Sequence, residues 1–78
     1  MVVCKQISPV SYMSGYRHED GDISYTGEIT IETMDVPVYD GESWFIARCP
    51  IVAEDMMGNR RGFLSLARAA DWNARRFL

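Results

Sequence analysis

Arg61, Arg68 and Arg75 stand seven residues apart, and Trp72 falls four after Arg68 and three before Arg75. On a helix, a spacing of seven brings side chains nearly into line, so these residues predict one flank with an aromatic ring between two guanidinium groups. Arg and Trp are enriched at interface hot spots, and the same mixture grips phosphates and stacks on bases. A structural role competes for the same residues. Arginines in a last helical turn complement the helix dipole, as Arg75 and Arg76 would, and Arg68 would lie over the Trp72 ring.

Covalent and metal chemistry have less to work with. The chain holds two cysteines, Cys4 and Cys49, and one histidine, His18. Both cysteines fall on apparent core faces of strands, whereas a reactive thiolate needs a partly exposed, electropositive niche. The string His18, Glu19, Asp20, Gly21, Asp22 lacks the alternating oxygen ligands and distant glutamate of a calcium loop, and reads as an acidic hairpin tip turned by Gly21. Nucleophile-elbow, phosphate-loop and zinc spacings are absent. The expectation is a non-enzyme with no catalytic residues, no metal and no cofactor.

Charge separates function classes further. Residues 1–55 carry ten acids against three bases, and residues 56–78 carry five arginines against Asp71 alone. The whole chain has net charge −3 and a pI near 4.9. Dedicated nucleic-acid domains usually show a dominant basic footprint, which puts nucleic-acid binding second to a protein partner or self-association. No apolar run reaches the roughly 20 residues that span a bilayer. Lys5 and Gln6 interrupt the apolar start where a secretory leader would continue it. A cytoplasmic location with two unpaired thiols is therefore expected.

Seventy-eight residues, 47% of them apolar, predict a single domain over 1–78 with a thin stability margin. Ile23, Tyr25, Gly27, Ile29 and Ile31 alternate with Ser24, Thr26, Glu28, Thr30 and Glu32, a half-buried antiparallel strand. Gly27 on its apolar side marks a bulge or the close approach of another element. Val36 to Tyr39 and the Asp40–Gly41 turn lead into a second strand, in which Phe45, Ala47, Cys49, Ile51 and Ala53 alternate with Trp44, Ile46, Arg48, Pro50 and Val52. Pro50 lacks the ladder donor and belongs at an edge or bulge. Val2 to Ile7 and Val10 to Tyr16 supply two more extended pieces.

Beyond the Met56–Met57–Gly58 break the period changes. Phe63, Leu66, Ala67, Ala70, Ala74 and Phe77 recur at three and four, which predicts a helix over about 60–77, capped by Asn59. The predicted fold is α+β: a two-layer domain in which an antiparallel meander of three to five strands, residues 1–53, is packed by one C-terminal helix.

The expected function is a small non-catalytic protein-interaction module that blocks a larger partner. In size and style it is like many phage or mobile-element accessory proteins and inhibitors. Its candidate partner-binding residues are Trp44, Arg61, Arg68, Trp72 and Arg75, with Glu28 and Glu32 as an acidic face that would suit a basic surface. Trp44 and Ile46, opposite Phe45, form the candidate exposed apolar patch. A nucleic-acid binder using the arginine flank and a structural homodimer, basic helix against acidic sheet, are the alternatives.

Overall fold

Turn chemistry decides where the strands run. The computed structural model describes residues 1–76. β1 (Val2–Ser8), β2 (Ser11–Arg17) and β3 (Ile23–Thr30) form an antiparallel meander. β4 (Met34–Tyr39) and β5 (Trp44–Cys49) then leave it as a separate two-stranded ribbon. The chain returns as β6 (Ile51–Asp55) beside β3, and β7 (Arg60–Phe63) closes the sheet. The main sheet has order β1-β2-β3-β6-β7, and the helix α1 (Leu66–Arg75) packs on it. The fold is the expected α+β, with seven strands among the described residues, five of them in the main sheet.

The predicted strand across residues 44–53 is two strands in different sheets. Pro50 stands between them and is in neither, since it has no N–H to give a ladder. The ribbon touches the body at its root, where Val36 and Cys49 pack over Gly62. Its Tyr39–Trp44 end stands clear, turned by Gly41 at φ 103° and by Asp40, whose carboxylate accepts from the Glu42 and Ser43 amides. Hydrogen bonds from Ser43 and Glu42 hold the Asp40 carboxyl below its ordinary range. Six residues a side give a ribbon about 20 Å long. The molecule measures 47 × 27 × 20 Å, and an arm of that length explains its long axis.

The predicted alternation in β3 holds only in part. Ser14 pairs with Gly27 and Gly15 with Tyr25, which leaves Thr26 as an extra residue. That bulge turns Thr26 inward, where its hydroxyl donates to the Asn73 carbonyl at 2.6 Å. Ile29 is wholly buried, whereas Ile23, Tyr25 and Ile31 are exposed. At Gly27 α1 lies close against the strand. A Cβ there would lie 2.6 Å from Asn73 Oδ1.

The helix starts later than the periodicity implies. Residues 60–63 are strand, with Arg60 opposite Glu54 and Arg61 opposite Ala53. Asn59 does not cap α1; it donates to Asp55 through its backbone and side chain and closes the β6–β7 turn. Ser65 caps instead, its hydroxyl accepting from the Arg68 amide. Phe63 stands three before Leu66 and so imitates a helical neighbour while lying on a strand. Phe77, placed on the helix face by its spacing, lies outside the described residues. Ser65→Ala is expected to cost about 1 kcal/mol, a fall of roughly 4–8 °C in the thermal midpoint, read by circular dichroism.

The buried face of α1 is made of small residues. Ala69 and Ala70 meet Ile29, Ile51 and Ala53, with Val2, Tyr12, Phe63, Leu66 and Trp72 packed around them, and Ala74 is buried as well. Ala67, expected in that face, is exposed. Asn73, not expected there, is wholly buried and donates to the Glu28 carbonyl at 3.2 Å. None of the described helices is long and apolar enough to cross a membrane.

Candidate functional site

Edge strand β7 and the outer flank of α1 form a shelf. Its floor is Phe63 from β7 and Trp72 from α1, half-buried, with ring centroids 5.7 Å apart and planes at 52°. Around them stand Arg68, Arg75 and Arg76, and the surface encloses an open hollow of about 650 Å³ that Ala67 and Asp71 complete. The Arg61 guanidinium lies over the Phe63 ring at 5.3 Å. The predicted row of three arginines on one helix is therefore corrected: Arg61 belongs to β7 and reaches the cluster across Phe63. Arg76, and not Arg68, covers the Trp72 ring, at 4.8 Å.

The guanidinium groups divide into two kinds. Arg75 binds Asp71 at 2.7 Å, an exposed pair one turn apart that raises the Arg75 pKa and adds little stability. Arg76 binds Asp55 at 2.9 Å. Arg61 and Arg68 are exposed and have no carboxylate partner among the described residues. They are the charges left for a ligand.

Asp55 fixes one end of the shelf. Its side chain is fully buried, and burial alone would raise its pKa. Hydrogen bonds from the Asn59 side chain and amide, from Arg76 and from the Met57 amide outweigh that and hold it down at about 2. One carboxylate thus orders the 55–59 turn, with Gly58 at φ 86°, and ties the end of α1 to the sheet. The Asp55, Gly58 and Asn59 turn residues were the available signal for this hairpin.

The remaining candidate residues lie elsewhere. Trp44 is 70% exposed at the far end of the ribbon, on the same face as Ile46 (64% exposed), and packs on Tyr39 with centroids 5.3 Å apart. Phe45, on the other face, is exposed too. The acidic face is not continuous. Thr26 has turned into the core, Glu32 lies beyond β3 and binds Arg60, and Arg60 also approaches Glu54 at 3.5 Å. Glu28 lines a separate hollow with Glu54, Met13, Tyr25 and Met56 on the other side of the sheet.

Cys4 is exposed on outer strand β1, contrary to its apparent core position, and Cys49 is buried at the ribbon root. Desolvation raises the Cys4 thiol pKa, the wrong direction for a nucleophile. His18 meets Ser24 Oγ through Nε2 at 2.8 Å and the Tyr16 ring edge-on. Among the described residues no group of His, Cys, Asp and Glu is arranged to hold a metal ion. Phe63 and Arg76, which were not among the candidate binding residues, come to Trp72 through the sheet edge and the Asp55 tie. No family model, curated protein or solved structure matches the chain, so its function is read from this surface alone.

Proposed function

We propose that the chain is a non-catalytic protein-interaction module whose Phe63–Trp72 shelf docks an acidic, aromatic-bearing surface of a partner and blocks it. The observation that carries this reading is the pair of guanidinium groups without a carboxylate partner among the described residues, Arg61 and Arg68, at the rim of a half-buried aromatic floor. A desolvated aromatic centre with an arginine rim is the usual make-up of an interface hot spot. Trp44 and its apolar neighbours on the ribbon give the module a second contact surface.

Nucleic-acid binding is the second reading, because arginine and exposed rings also serve single strands. One observation weighs against it: the chain is acidic overall, with net charge −3. Fluorescence anisotropy separates the two. A labelled peptide alternating Asp or Glu with Trp or Phe is expected to bind at about 50 mM salt and weaken with added salt, whereas its Gln/Ser counterpart and single- or double-stranded oligonucleotides do not bind. Oligonucleotide binding without peptide binding would reverse the choice.

A further inference from the structure

The ribbon end carries the chemistry that the shelf lacks. Tyr39 and Trp44 present rings, and Asp40 and Glu42 add two carboxylates with no base between them. The Glu42 side chain is exposed, while its amide serves the turn. The shelf is the converse, an aromatic floor edged by Arg61 and Arg68. Within one molecule the ribbon stands with its tip away from the shelf. Its root residue Cys49 borders the same surface as Arg68, and its tip lies about 17 Å further along, at 3.4 Å per residue. A second molecule can bring its tip to this shelf.

We infer that the shelf's acidic, aromatic partner is the ribbon tip of a second copy of this chain, with Glu42 facing Arg68 and Trp44 laid against the Phe63–Trp72 floor. The assignment rests on the shelf reading above and names its ligand. When each copy lays its arm on the other's shelf, the exchange is reciprocal and closes as a two-fold dimer. It also covers a two-stranded ribbon, which is marginally stable when exposed. Apolar area on the arm supplies the attraction, and the opposed charges fix the register.

Sedimentation equilibrium of the whole chain tests this. The wild type is expected to dimerise at about 50 mM salt and somewhat more weakly at about 500 mM, where the opposed charges are screened. Trp44→Ala, Glu42→Arg and Arg68→Glu should each weaken the dimer at least tenfold. The double variant Glu42→Arg/Arg68→Glu should recover most of that loss, because the charges are exchanged and not removed. The acidic aromatic peptide should compete with the dimer. A wild type that stays monomeric at low salt, or a dimer indifferent to Arg68→Glu, overturns the inference. If that monomer still binds the peptide through Arg68, the shelf reading survives and only the second copy is lost. A chain that neither dimerises nor binds the peptide removes both.

Discussion

Gly27→Ala should unfold this domain more readily than any change on its surface. The added Cβ would stand 2.6 Å from Asn73 Oδ1 and closer still to the Glu54 carbonyl. Neither neighbour can yield easily. The Glu54 carbonyl is sheet backbone, and Asn73 is wholly buried in α1, where it bonds back to the Glu28 carbonyl. The methyl must therefore lift the helix from β3, which also loosens the Thr26 bond to Asn73. Overpacking of this kind costs about 1–3 kcal/mol, sometimes more. At about 4–8 °C per kcal/mol in a chain this short, the thermal midpoint should fall by roughly 10 °C or more. An unchanged midpoint would mean that α1 does not rest on β3 as described.

The second large effect is expected at Asp55, and it depends on pH. The folded carboxyl titrates at about 2, against an ordinary value of 3.8. A depressed folded pKa stabilises the native state above the unfolded pKa, and that contribution disappears as pH falls through the folded value. Wild-type stability should therefore decline between about pH 4 and pH 2, as the unfolded chain takes up the proton first. Asp55→Asn should be less stable at pH 7, because an amide cannot answer Arg76 and the Asn59 and Met57 donors together. It should also decline less steeply over the acid range. Urea midpoints at pH 7, 4, 3 and 2 for both proteins would show it. Parallel curves would mean that Asp55 is not the carboxylate linking the β6–β7 turn to the helix.

These two residues also show what was legible in the sequence. Apolar content located the extended pieces of residues 2–7 and 10–16, alternation the strand of 23–30, and the Asp40–Gly41 turn the ribbon, because strand pattern and turn chemistry are local properties. Gly27 carried its meaning in advance: a glycine on an apolar strand face signals a bulge or a close approach, and here both occur one residue apart. The helix start was not legible from period alone. Phe63 lies at helical distance from Leu66, yet the choice between strand and helix at residues 60–63 is made by Asp55, which binds Asn59 and gives β7 an edge to pair with. Burial of Asn73 was equally hidden, since its partners come from β3, 45 and 47 residues away.

The shelf was legible in its helical half. Arg68, Trp72 and Arg75 share a flank as their spacing implied, because all three lie within α1. Its other half comes from β7 and was misassigned with the helix start. Trp72 proves partly structural, packed against the core and under Arg76, so replacing it would disturb stability and binding together. Arg68 is the cleaner probe. It stands three residues after the Ser65 cap, the position where an acidic residue completes a capping box and favours the N-terminal dipole.

Arg68→Glu therefore separates binding from folding in one substitution, and the measurement is paired: thermal midpoint and affinity for the acidic aromatic peptide on the same protein. The interaction shelf predicts a midpoint equal to or slightly above that of the wild type, with affinity reduced at least tenfold, about 1.4 kcal/mol. An unchanged affinity at an unchanged midpoint would contradict it, and would return Arg68 to the role of a solvated charge on a helix.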